Sequence, residues 1–251
     1  MQSKSTSYDA YLSSPHLSLK HSTYFDVYDQ LLSPFIGKNI TFVEIGILGG
    51  GSLFMWRNFF GPNARIIGID LNPEAKKWEE HGFEIFIGSQ SDPSFWEEFI
   101  KTIGSVDIVL DDGGHTYLQQ IVTVESLLEH INDNGLLIVE DAHTSYTDGF
   151  GDRRASFINY VKIWIDKINS RFAQFPKTQK DRRVWSVEIF ESIVAFKINR
   201  KASELPSQVT KNKPESNSTR DYRHADKAQI QSQIGAIQKI LKNAFSLYRD
   251  E

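Results

Sequence analysis

Five short β-branched apolar runs alternate with longer amphipathic stretches between Asn39 and Val139, and that rhythm leaves few folds open to the chain. Parallel strands need a crossover long enough to carry a helix, so alternation at this spacing predicts stacked βα units around a parallel sheet. The expected strands are Asn39 to Gly46, Ala64 to Asp70, Phe83 to Ser89, Val106 to Asp111 and Gly135 to Val139. The intervening helices carry Leu53, Trp56, Arg57 and Phe60, then Pro73 to about His81, then a segment opened by Ser91, Asp92 and Pro93, then about Leu118 to His130. An acid or serine caps such a start and proline suits its first turn. An Asp133-Asn134-Gly135 turn closes the last excursion.

A polar loop from His143 to Ser156 leads into a further helix, whose apolar residues Phe157, Tyr160, Val161, Trp164, Ile165 and Ile168 recur at helical spacing. Val184 to Glu191 and Ser192 to Ile198 then follow with almost nothing between them, which predicts a tight antiparallel hairpin. From Lys201 to about Asp226 the composition turns to Ser, Lys, Asn, Pro and Glu, as in a linker. Beyond it Ile230, Ile234, Ile237, Ile240, Leu241 and Phe245 form an apolar stripe, for packing on the same domain or on a partner. The expected organisation is an N-terminal helical or lid segment over 1–38, a catalytic or binding domain over 39–200, a linker over 201–226 and an amphipathic helix over 227–251. The N-terminal aromatics Tyr8, Tyr11, Tyr24, Phe25, Tyr28 and Phe35 either cover a pocket or pack as a helix from Tyr24 to Leu32.

Composition narrows the function classes. A formal charge of −4 in 251 residues argues against a basic nucleic-acid face. The absence of cysteine excludes disulfides, thiolate metal sites and cysteine nucleophiles, and fits a cytoplasmic location. No apolar run reaches the roughly 20 residues that span a bilayer, and the sequence MQSKSTSYDAYLSSPH has no apolar signal core, so no membrane partner is expected.

Acids mark the site. VDIVLDDGGH (Val106 to His115) and GLLIVEDAH (Gly135 to His143) both end in carboxylates. If the two runs are neighbouring strands about 4.8 Å apart, Asp112, Glu140 and Asp141 emerge side by side. Clustered acids repel unless a cation or shared protons compensate them, so a divalent metal is expected there. Asp111 is an alternative ligand or a helix cap, and Asp107 a strand-entry turn residue. His115 beside this cleft is a candidate base, or a loop residue bonded to a carbonyl. His143 faces a substrate or is structural.

A second cluster lies at the first strand. In FVEIGILGGGS (Phe42 to Ser52), Glu44 closes the strand, and Gly46, Gly49, Gly50 and Gly51 form the turn into a helix, where backbone approaches a ligand closely. Asp70, at the end of the second strand, is placed to hold a ribose diol. Leu48 stands where a dinucleotide fingerprint needs glycine, and Glu44 disfavours an anion. A nucleoside ligand with an amino group or positive charge fits better, and S-adenosylmethionine has both. Its adenine would lie near Ser89, Gln90 and Ser91. The expected cofactor set is Glu44, Gly46, Gly49, Ser52, Asp70, Ser89, Gln90, Ser91 and Asp111. Binding of a nicotinamide dinucleotide, or of the cofactor without catalysis, remains an alternative from other classes.

FVEIGILGGGS, IGIDLNP, GSQSD, LDDGGH, IVEDAHTSY and WSVEIFESIVAFK together span roughly Asn39 to Lys197. In these motifs the chain resembles the class I S-adenosylmethionine-dependent methyltransferases. Within them it is similar to the metal-dependent O-methyltransferases of antibiotic sugars and their rhamnosyl and cephalosporin-biosynthesis relatives. The resemblance implies a Rossmann-like α/β fold with a seven-stranded, mostly parallel sheet, a reversed last strand and helices on both faces. It implies Asp112, Glu140 and Asp141 as ligands of Mg2+, with Mn2+ also suited, and His115 as general base. Gly114 stands where the family usually has Ser, and Ala142 where it has Leu; neither change removes a ligand. The implied acceptor is a hydroxyl of a sugar or glycosylated natural product, with a non-sugar metabolite as the alternative. A homo-oligomer through the N-terminal or C-terminal helices is also open.

Overall fold

The computed structural model describes residues 6–172, 181–214, 233 and 235–241. The chain divides into two compact units, Met1–Ser207 and Gln208–Glu251.

The first unit is built on a sheet of β1 (Thr41–Ile45), β2 (Arg65–Asp70), β3 (Glu84–Ile87), β4 (Val106–Asp111), β5 (Ile131–Val139), β6 (Ser186–Ile189) and β7 (Val194–Lys197). Their order is β3-β2-β1-β4-β5-β7-β6. β1 to β5 pair in parallel, and β7 runs antiparallel to both β5 and β6. This is the expected Rossmann-like sheet with a reversed last strand.

Helices α1 (Ser7–Leu12), α2 (Tyr24–Leu32) and α3 (Gly51–Phe60) supply the core of one face, with Tyr28, Leu32, Trp56 and Phe60 against Phe42, Leu110 and Ile138. On the other face α4 (Pro93–Ile103), α5 (Tyr117–Leu127) and α6 (Phe157–Asn169) set Trp96, Val124 and Trp164 against Val43, Val109 and Val139. Successive strand residues point to opposite faces. Glu44 therefore shares the α2/α3 face with Phe42, while Asp111 shares the α4/α5 face with Val109.

Register sets the site. Ile45, Asp111 and Val139 are abreast across β1, β4 and β5. The next residues, Gly46, Asp112 and Glu140, consequently leave the sheet together. Backbone bonds continue one step past the strands, from Asp112 N to Ile45 O at 3.0 Å and from Glu140 N to Asp111 O at 2.9 Å.

Three local expectations need correction, while the helix expected over Pro73–His81 is present, wound as a 3-10 helix and capped by Asn72. Only Ala75 and Trp78 of this charged segment are buried, so little apolar surface favours the wider winding. β5 starts at Ile131, and the Asp133-Asn134-Gly135 turn lies inside it as an irregularity, with Asn134 at φ 69°. The hairpin strands are shorter than expected, because Phe190 to Ile193 form the connection, closed by Phe190 N to Ile193 O at 2.8 Å. The polar stretch begins with a short helix α7 (Arg200–Glu204), tied down where Arg200 donates to the carbonyls of Leu128, Glu129 and Ile131.

In the second unit, Gln233 and residues 235–241 are helical. Ile237, Ile240 and Leu241 of the expected stripe lie there, and Ile230, Ile234 and Phe245 lie outside the described residues. No helix of the described residues is long and apolar enough to cross a membrane.

Candidate active site

One cavity of about 660 Å³ opens at the carboxyl ends of β1, β2 and β4, where open α/β sheets bind ligands. Its walls include Gly46 to Leu48, Ser52, Asp70 to Asn72, Gly88, Gln90, Asp112 to His115, Glu140 and Asp141. The segment between α1 and α2 closes one side through Leu17 to His21, followed by Tyr24.

Asp70 organises the glycine turn. Its carboxylate accepts from Ile47 N at 3.0 Å, Leu48 N at 3.2 Å and Asn72 N at 2.8 Å. Gly46 is needed for contact: its φ is +82°, and a Cβ there would lie 2.2 Å from the Asp112 carbonyl oxygen. The glycine turn and the acid-bearing turn therefore touch, backbone to backbone.

Of the residues expected at the cofactor, Gly46, Ser52, Asp70 and Gln90 line the cavity, whereas Glu44, Gly49, Ser89, Ser91 and Asp111 do not. Glu44 is fully buried beneath it, accepting from Ser52 Oγ at 2.7 Å and Trp56 Nε1 at 3.0 Å. Burial pushes its carboxyl up to about 7, against the opposing pull of Lys20. Ser89 and Ser91 bond each other at 2.9 Å. Asp111 lies behind the wall, where Gln90 Nε2 and Gly113 N donate to it, and burial raises its pKa.

Asp112, His115 and Asp141 each offer a ligand atom, all within 4.8 Å of one another. His115 Nε2 is 3.2 Å from Asp141 Oδ2. Both residues reach this geometry from left-handed backbone, at φ 58° and 55°. His21 and His143 also approach Asp141, at 3.9 and 3.8 Å, and His143 Nδ1 bonds Ser192 Oγ at 2.5 Å.

Glu140 stands apart from that trio. Its two oxygens are taken by Tyr28 OH and, at 3.0 Å, by Lys20 Nζ. Lys20 Nζ also lies 2.7 Å from Asp112 Oδ2 and 3.8 Å from Glu44, with its side chain only 1% exposed. Burial alone would depress this ammonium; Asp112, Glu140 and Glu44 override that and hold it well above its ordinary value. Burial pushes Glu140 up to about 8, with Lys20 pulling the other way. Tyr24 OH donates to Asp141 Oδ1 at 2.5 Å.

Lys20 escapes the sequence motifs altogether, and they present Tyr24 and Tyr28 only as pocket cover or helix packing, not as partners of the acids. The i, i+4 spacing of the tyrosines is a usable signal, since it puts both hydroxyls on one face of α2. Lys20 carries no such signal.

The donors suit a hard divalent cation: two carboxylates and an imidazole converge, a third carboxylate adjoins them, and an ammonium already occupies part of the negative field.

Residues 43–142 match a family described as a methyltransferase domain. A rhamnosyl tetracenomycin-C 2'-O-methyltransferase of Streptomyces olivaceus is 31% identical over 179 residues, covering 64% of this chain and 46% of that protein. Demethylmacrocin O-methyltransferase of Streptomyces fradiae is 34% identical over 131 residues, covering 49% of this chain and 33% of that one. This chain thus spans between a third and a half of the length of these relatives. Among solved structures, the methyltransferase MycE of the mycinamycin pathway, in complex with Mg and SAH, superposes with a TM-score of 0.71 at 22% identity. That match covers 87% of this chain and 59% of MycE, and it establishes the shared fold.

Proposed function

We propose that this chain, a class I methyltransferase related to the sugar O-methyltransferases of macrolide and tetracenomycin pathways, uses S-adenosylmethionine and a divalent metal to methylate a hydroxyl of a glycosylated natural product. The observation that carries this is a single cavity lined both by the Gly46 turn with Asp70 and by Asp112, His115, Glu140 and Asp141. A methyl donor and an acceptor held in one cavity could react by direct transfer, and the site would promote it by aligning them and excluding water. The rhamnosyl group in the named substrate of the Streptomyces olivaceus relative supports a sugar hydroxyl as acceptor.

Asp70 and the backbone of Ile47 and Leu48 would bind the nucleoside end, and Gln90 would border the adenine. Glu44 supports the turn from beneath through Ser52. Asp112 and Asp141, with Glu140 adjoining, would hold Mg2+ or Mn2+, which when bound supplies charge stabilisation to the developing alkoxide. His115 is the group that takes the hydroxyl proton, and the Asp141 carboxylate, 3.2 Å from its Nε2, orients the ring. The acceptor oxygen forms its bond to the methyl carbon as the sulfur–carbon bond breaks, leaving the neutral thioether.

Calorimetric titration of S-adenosylmethionine, with magnesium and then with chelator, followed by a methylation assay on rhamnosyl and deoxysugar glycosides, tests the assignment. Cofactor binding with metal-dependent transfer to a sugar hydroxyl is expected. Failure to bind the cofactor in either condition would sink the methyltransferase assignment.

A further inference from the structure

Lys20 belongs to neither the proton transfer nor the cofactor cradle, yet its side chain is as enclosed as that of Glu140 beside it. It reaches there from the strap of residues 13–23 between α1 and α2. The strap is fastened to the cofactor helix by Ser14 Oγ to Gly51 O at 2.8 Å and by Asn58 Nδ2 to Ser13 Oγ at 3.0 Å. Its backbone at His16 and Leu17 lies so close to Gly51 that a Cβ there would meet both carbonyls at 2.5 Å or less. Leu17 to His21 line the cavity. The strap therefore covers the cofactor side while its lysine plugs the metal side.

Two cations packed against the same carboxylates repel each other. Lys20 takes Asp112 Oδ2 and Glu140 Oε2, and Tyr28 takes the remaining Glu140 oxygen. A metal drawing on Asp112, Glu140 and Asp141 would sit about 2.1 Å from their oxygens and so beside the seated ammonium, with like charges pressed together in a buried site. Among the described residues, Asp112, His115 and Asp141 are grouped closely enough for coordination, and Glu140, held by Lys20 and Tyr28, is outside that group.

We propose that Lys20 is a built-in cation that competes with the divalent metal for Asp112 and Glu140, so that metal loading expels its ammonium and loosens the strap over the cofactor cavity. This rests on the metal-dependent function proposed above. Lys20 thereby sets the metal affinity and couples metal occupancy to cofactor access, without touching the reacting atoms.

The test uses the full chain with Mn2+ as probe. Electron paramagnetic resonance measures Mn2+ affinity for the wild type and Lys20→Met, which keeps the stem and removes the charge. Amine acetylation of the wild type, read by mass spectrometry with and without Mn2+, reports on Lys20 itself, and exposed Lys101 serves as internal control. Expected are at least about tenfold tighter Mn2+ binding by Lys20→Met, and several-fold faster acetylation of Lys20, not Lys101, on adding metal. If the variant does not fold, the acetylation of the wild type decides alone. Mn2+ binding to the wild type with Lys20 still protected, and no tighter in the variant, would overturn the competition and leave the metal-dependent function standing. Mn2+ binding by neither protein would overturn both.

Discussion

Gln90 Nε2 donates to both carboxylate oxygens of Asp111, at 2.9 and 3.0 Å, and so ties the end of β3 to the end of β4 across two intervening strands. The same carboxamide accepts from Gly114 N at 2.9 Å, beside His115. Gln90→Ala would leave a fully buried carboxylate short of its main partner, at a cost of about 1–3 kcal/mol. Urea unfolding should show that loss, and turnover should fall further than cofactor affinity, because the turn carrying Asp112 and His115 is freed.

Gly46→Ala tests the contact between the two turns. Gly37 provides the control: its φ of +75° is comparable, but a Cβ added there would meet nothing within 4 Å, whereas one at Gly46 would face the Asp112 carbonyl at 2.2 Å. Gly37→Ala should cost about 1 kcal/mol from backbone strain alone. Gly46→Ala should cost about 3 kcal/mol or more and weaken both cofactor and metal binding. Equal unfolding energies for the two variants would contradict a close contact.

The strand ends are legible in the sequence because apolar runs stop where acids begin, and the pairing of β4 with β5 then brings Asp112, Glu140 and Asp141 to one edge. The direction of Glu44 is not legible. β1 is buried on both faces, so alternation along Thr41–Ile45 carries no mark of which face meets α2 and α3. Lys20 is hidden for another reason: it lies in a polar loop and meets Glu140 across 120 residues of sequence, a distance over which no local periodicity reports. The 3-10 winding of Pro73–His81 escapes because its proline start and charged face suit either helix.

Glu44 gives the metal-free protein a defined pH response. Its folded pKa is raised, to about 7, from an ordinary value of 4.5, chiefly by burial. The stability it contributes is therefore fully present below about 4.5 and is lost as pH rises through about 7. Between about pH 6 and 8, in chelator, the wild type should lose about 1 kcal/mol more stability than Glu44→Gln. Parallel pH profiles for the two proteins in denaturant titrations would contradict this.

His115→Asn removes the proposed base while keeping a polar side chain. Turnover on a glycoside acceptor should fall about 10²–10⁴-fold, with S-adenosylmethionine affinity nearly unchanged. A variant as active as the wild type would remove His115 from the chemistry.

His115 and Asp141 both hold left-handed backbone that only glycine adopts freely, at φ 58° and 55°. Each position therefore carries a small conformational debt, set against the function of its side chain. Selection for heat resistance alone would favour glycine at both places, and each gain would remove a side chain that lines the cavity. In this chain, thermal endurance and turnover pull against each other at two known positions, which a laboratory search for hardier variants would have to hold fixed.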